Sequence, residues 1–181
     1  MANYAFASVE ITGTKESVLA FADRFYCFDE QDGIRPGKFK GSYADYSHDD
    51  LTASIEAFFR TADPGCRRTF VLDACFAWSA EGCLFPSQED KFISLATACA
   101  KDGVDVEVRS VEQSNGFEEY ISGKSSGAVH AETHDLQPFC CPVCGTEQLL
   151  ASFEDPDDAE CCECGHIGLD EQKEEVSENG T

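Results

Sequence analysis

Residues 4–12 alternate strictly. Ala5, Ala7, Val9 and Ile11 fall on one face, and Tyr4, Phe6, Ser8 and Glu10 on the other, the period of a half-buried strand. Gly13 breaks the run, and Thr14 is placed to N-cap a helix whose apolar stripe is Val18, Phe21, Ala22 and Phe25. Residues 27–46 have no period and read as a loop with a short strand at 42–46. Ser47 and Asp50 then open a second helix, with Leu51, Ile55, Phe58 and Phe59 turned inward. Asp63-Pro64-Gly65 is a turn. Residues 68–78 read as the strongest strand, with Phe70, Leu72, Ala74, Phe76 and Trp78 on one face. Val71, Cys75 and Ala77 lie on the other, so both faces are expected to be covered.

The second half continues in the same way. Pro86-Ser87 with Asp90 predicts a third helix, with Phe92, Leu95, Ala96 and Cys99 as its stripe and Gly103 as its left-handed stop. Val104, Val106 and Val108 alternate, and the phase slips at Ser110-Val111, which predicts a bulge. Asn115-Gly116 predicts a tight hairpin into a strand over 117–122, and 123–127 turn again into a strand over 128–133. The order is strand, helix, helix, strand, helix, then three strands. It predicts an α+β domain over residues 1–136, a mainly antiparallel sheet with helices on one face.

Beyond residue 136 the pattern changes to paired cysteines. Cys141-Pro142-Val143-Cys144-Gly145 is followed, after sixteen residues from Cys144, by Cys161-Cys162-Glu163-Cys164-Gly165. Two C-x2-C pairs at this separation are the spacing of a structural zinc site. Four thiolates close a tetrahedral sphere and leave no position for a substrate. Residues 137–169 therefore read as a zinc ribbon holding one structural Zn²⁺ through Cys141, Cys144, Cys161 and Cys164. Cys140 and Cys162 sit beside ligands and point away, and His166 is an alternative ligand. The competing reading is a disulfide framework. The chain has eleven cysteines, an odd count, and it opens without a basic segment followed by an apolar run. Reduced thiols and a cytoplasmic location are expected.

Charge narrows the functional classes. The formal net charge is −22. Residues 137–181 carry twelve acids and one base, Lys173. Nucleic-acid affinity comes from Lys and Arg displacing phosphate counterions, so direct DNA or RNA binding by the ribbon is not expected. An acidic surface instead suits a basic protein partner, or serves solubility. Residues 170–181 are acidic and lack aromatics, and are expected to be disordered. No apolar run reaches the roughly 20 residues of a membrane span.

Other chemistry-bearing residues lack a frame. His130 and His134 share a strand face and read as solvated. Cys27, Cys66, Cys75, Cys83 and Cys99 have no ligand spacing. Cys75 and Cys99 read as core and Cys83 as a loop residue. Asp29, Glu30, Asp32, Asp49 and Asp50 form an acidic cluster that fits helix-start electrostatics as well as a Mg²⁺ site. No phosphate-binding glycine loop, nucleophile elbow or dinucleotide fingerprint is present.

The opening strand ending Ile11-Thr12-Gly13, the strand ending Ala77-Trp78-Ser79, the helix led by Pro86 and the hairpin from Glu112 to Phe117 carry a family likeness. Over residues 3–135 the chain resembles ferredoxin-like accessory domains of conjugative plasmids and phages. The likeness implies a ferredoxin-like sheet and a mobile-element context. It supplies no catalytic residues. The insert at 27–66 and the ribbon lie outside it. The expected function is a non-enzymatic zinc-binding interaction protein. The alternatives are an acidic nucleic-acid mimic that blocks a host nuclease or restriction system, and an enzyme with a site between domain and ribbon near Cys83 or the acids of 29–50.

Overall fold

The alternation at the N-terminus becomes strand β1 (Tyr4–Gly13), in a computed structural model that describes residues 3–26, 28–29, 33–34, 37–44, 46–87 and 91–171. β1 is flanked on both sides. Strand β5 (Arg68–Ala77) pairs with it antiparallel over its whole length, from Tyr4 opposite Ala77 to Gly13 opposite Arg68. Strand β6 (Asp105–Glu112) pairs antiparallel on the other side, from Thr12 opposite Asp105 to Phe6 opposite Val111. Strands β4 (Ser42–Ala44), β7 (Phe117–Gly123) and β8 (Val129–Asp135) complete a six-stranded antiparallel sheet in the order β4-β5-β1-β6-β7-β8. The short strands β2 (Phe28–Asp29) and β3 (Gly33–Ile34) pair only with each other. The chain divides into two compact units, Met1–His134 and Asp135–Thr181.

Helices cover one face of the sheet. Helix α1 (Lys15–Ala22) is capped by Thr14, whose hydroxyl accepts the Ser17 N–H. Helix α2 (His48–Phe59) is capped in the same way by Ser47, which accepts from Asp50. Helix α4 (Leu95–Asp102) stops at Gly103, which sits at φ +70 as a left-handed stop requires. The core joins Ala5, Ala7, Val9 and Ile11 of β1 to Val18, Phe21, Leu51, Ile55, Leu95 and Cys99 of the helices. Phe21, Phe25 and Phe39 meet edge to face, with centroids 5.3–6.0 Å apart. Full burial of each phenyl ring stabilises by about 2–3 kcal/mol. Arg24 fastens the same region: Nε and Nη2 donate to the two Asp102 carboxylate oxygens at 2.5 and 2.6 Å, and Nη1 donates to the Gly37 carbonyl at 2.7 Å.

The second unit is a three-stranded sheet, in which β9 (Gln137–Cys140) lies between β10 (Glu147–Leu150) and β11 (Asp170–Glu171). Its core is small: Phe139, Cys141, Leu150, Cys161 and Leu169.

Several expectations are corrected. The element order is β-α-β-α-β-α-α-β-β-β about the main sheet, whereas a ferredoxin-like unit runs β-α-β-β-α-β. The outer face of β5 is not covered, since Val71 is 53% exposed. Trp78 does not continue the inward face. It takes φ +74 and turns out to solvent. No bulge interrupts β6, because Ser110 and Val111 stay in register with both neighbours. Ser110 faces inward and gives its hydroxyl to Glu119, and so the apolar alternation lapsed there without a change of phase. Helix α4 starts at a Ser94 cap and not at Pro86, and a short helix α3 (Ala80–Leu84) precedes it. Glu112 and Phe117 are paired, so the β6–β7 connection has four residues. The acidic tail begins after β11, whose two residues were read as disordered.

Candidate metal centre

The end of β9 leads directly into the first cysteine knuckle. Cys141 N–H donates to the Thr146 carbonyl at 2.9 Å, and Gly145 N–H donates to the Cys141 carbonyl at 2.9 Å. The second knuckle repeats this geometry: Cys161 N–H donates to the His166 carbonyl at 2.7 Å, and Gly165 N–H to the Cys161 carbonyl at 2.9 Å. Each turn closes on a glycine with positive φ, +75 at Gly145 and +70 at Gly165. A side chain there would be strained, which is why glycine follows each pair. A bridge between Glu160 and Ile167 supports the second knuckle as the Cys140–Glu147 pair supports the first. Gln148 ties the two together. Its amide donates to the Glu160 carbonyl at 3.2 Å and its carbonyl accepts the Cys162 N–H at 3.1 Å.

The knuckles bring Cys141, Cys144, Cys161 and Cys164 together, with all four sulfurs within 4.8 Å of one another. Cys141 and Cys164 are 3.6 Å apart, and Cys144 and Cys161 are 3.5 Å apart. Four sulfurs at about 2.3 Å from one ion would stand about 3.8 Å from each other. A disulfide would need about 2.05 Å. The cluster thus has the size of a four-thiolate metal site. Cys141 and Cys161 are buried and Cys144 and Cys164 exposed, so one sulfur of each pair anchors the unit's core.

Protons are unevenly held in the cluster. Thr146 lies 3.2 Å from Cys144 Sγ, and its hydroxyl and backbone N–H bring that thiol down to about 6. At Cys164 the backbone N–H of His166 acts to lower the thiol, but the neighbouring sulfurs, Cys144 foremost, outweigh it and push it up to about 12. One thiol of the cluster therefore gives up its proton more readily than another, and a cation bound by all four would displace the protons that remain. Thr146 was missed by sequence reasoning, since a single hydroxyl two residues after a ligand carries no pattern.

The neighbouring cysteines stand aside. Cys140 Sγ lies 3.8 Å from the Cys141 carbonyl, and Cys162 is exposed. His166 offers its backbone carbonyl to the knuckle.

The remaining candidates are scattered. Cys99 is buried, and burial pushes its thiol up to about 12. Cys75 is only half-buried, on the outer face of β5. Cys83 is buried in α3, 3.4 Å from the Ala77 carbonyl, and so is not an exposed loop thiol. Cys27, Glu30, Asp32 and the side chain of Asp29 lie outside the described residues. Asp50 serves the α2 cap, accepting the Ser47 hydroxyl at 2.6 Å, and Asp49 faces solvent. His130 and His134 flank Glu132, with the nearer nitrogens 2.9 and 3.6 Å from its oxygens, and all three are exposed. Burial acts to raise the Asp23 carboxyl, but Lys38 and, less strongly, His48 outweigh it and hold it below the usual range.

Comparison with family models, with curated proteins and with solved structures finds no match to this chain.

Proposed function

We propose that this chain is a non-enzymatic zinc-binding protein that acts through protein–protein contact. The observation that carries the metal assignment is the tetrahedron-sized set of four sulfurs, closed by two equivalent knuckles. Zinc suits four thiolates in tetrahedral array, and so does iron. The donor set fits either ion; we propose zinc on the C-x2-C spacing of the two pairs, and elemental analysis separates the two. Such an ion is structural: it holds the two turns together and exposes no coordination position to a substrate.

The partner half rests on charge. Residues 137–171 contain nine acids and no lysine or arginine. Four thiolates around a divalent ion add two further negative charges. A basic protein surface fits this unit, and a phosphate backbone does not. The setting we propose, a plasmid- or phage-borne accessory protein, rests on the sequence resemblance alone.

Elemental analysis of the purified protein tests the metal, with one zinc and no iron per chain as the expected result. Cys144→Ser and Cys164→Ser should each lose the ion, and Cys140→Ser and Cys162→Ser should keep it. Full zinc retention in a variant with all four of Cys141, Cys144, Cys161 and Cys164 changed to serine would overturn the assignment.

A further inference from the structure

The face of the main sheet opposite the helices exposes aromatic side chains at the start of β1, whereas at β7 it is closed over Glu118, which is buried. One cross-strand row runs Tyr43, Cys75, Phe6, Val111 over β4, β5, β1 and β6. Tyr4 lies one step toward the chain start, its ring 6.3 Å from that of Tyr43 and at a steep angle. Trp78 extends the same end, held by its N–H on the Asn3 carbonyl at 2.8 Å. Phe6 is 64% exposed and Trp78 58%. Tyr4, Phe6 and Tyr43 displayed together on one face, with Trp78 exposed beyond the end of β5, are unusual for a surface that meets only water.

Carboxylates border this aromatic end. Asp73 lies two residues from Cys75 on β5, and Glu10 lies opposite Val71 on β1. Among the described residues no base pairs with either. Farther along, Asp105 is already taken by Arg67 at 2.9 Å. From Phe6 to Glu10 is about 14 Å along the strand, within reach of one helix with a basic flank.

We propose that this face docks a cationic amphipathic helix from a protein partner. Its apolar stripe would lie on Phe6 and Tyr43. Its lysines or arginines would meet Asp73 and Glu10 and stack on the rings of Trp78 and Tyr4. Arg109, two strands from Asp73 in the same row, lies over the Tyr120 ring, and the balance of charge at the aromatic end favours a cationic occupant over the others. A second copy would bring the same carboxylates and another net charge of −22 against this face. A nucleic acid would bring phosphates to uncompensated carboxylates. The inference is separate from the metal and from the acidic second unit, because every residue it uses lies in β1, β4, β5 or the turn after it.

Trp78 is the only tryptophan, so its emission reports on this face in the full-length protein. The probe is a synthetic 18-residue helix of leucine and lysine in amphipathic order. It should shift the emission to shorter wavelength, saturably, and bind more weakly as salt rises. Phe6→Ser with Tyr43→Ser, both exposed positions, should weaken binding about tenfold or more. Asp73→Asn with Glu10→Gln should weaken it and flatten the salt dependence, whereas Asp157→Asn with Asp158→Asn should leave the Trp78 shift in place. Equal binding of a lysine–serine peptide or of a leucine–glutamate helix would overturn the proposal. So would unchanged affinity in the Phe6/Tyr43 variant, an emission shift with protein concentration alone, or an equivalent shift with a DNA oligonucleotide.

Discussion

Trp78 sits at φ +74, the one non-glycine residue with positive φ among the described residues. A β-carbon in that region crowds the following carbonyl at about 1–2 kcal/mol. Such a conformation persists only where surroundings impose it, here the pairing of its N–H with Asn3 and the Ser79 cap that follows. Trp78→Gly should therefore raise stability by about 0.5–1 kcal/mol, the relieved strain less the entropy of glycine in the unfolded chain. Trp78→Ala keeps the strain and should give no gain. A pair of urea denaturation midpoints decides between the two, and a loss in both would place Trp78 in the core. At this scale the sequence was legible wherever the signal is local. The clustering of Cys141, Cys144, Cys161 and Cys164 follows from spacing, and Thr14, Ser47 and Gly103 are caps because of their own chemistry. Trp78 was misread because alternation assigns a face only while the strand continues, and β5 ends at Ala77.

At the scale of elements, α3 shows how a short helix escapes periodicity. Its five residues are too few to show a stripe, and what holds it comes from a distant strand. The Glu119 carboxylate, almost wholly buried, accepts the Ala80 N–H at 2.7 Å, the Glu81 N–H at 3.1 Å and the Ser110 hydroxyl at 2.6 Å. The helix start is thus satisfied from β7, and the buried carboxyl group has three donors. Glu118-Glu119 in a strand reads as polar surface, so nothing local announces the partnership. Removing the carboxylate orphans buried donors, each costing about 1–3 kcal/mol. Glu119→Leu should accordingly lose about 3 kcal/mol and release α3, while Glu81→Ala, exposed in the same helix, should change little. Calorimetry, with amide exchange at residues 80–84, tests both parts. If Glu119→Leu is as stable as the parent, the carboxylate is not what anchors α3. The same pairing explains the false bulge, since Ser110 is polar because Glu119 needs a donor.

At the scale of the whole molecule the two units rest on different physics. The first has a continuous apolar core of five phenylalanine rings and aliphatic side chains from both helices and sheet. Among the described residues the second buries Leu136, Phe139, Leu150, Ala151 and Leu169 besides two of the cluster's cysteines. A core of that size does not fold a segment of this length without a staple. Binding free energy at the four thiolates is then folding free energy for the second unit and not for the first. The pattern of the sequence changes near residue 136 and the units divide after His134; the tail was overextended because a two-residue strand such as β11 has no pattern to read. Residues 1–136 alone should give a dispersed amide spectrum with no metal present. In the full chain, a strong chelator should collapse the resonances of 137–171 and leave those of the first unit in place. A broad spectrum from residues 1–136 would show that the first unit depends on the second. Unaltered resonances for 137–171 after chelation would show instead that its fold does not rest on metal.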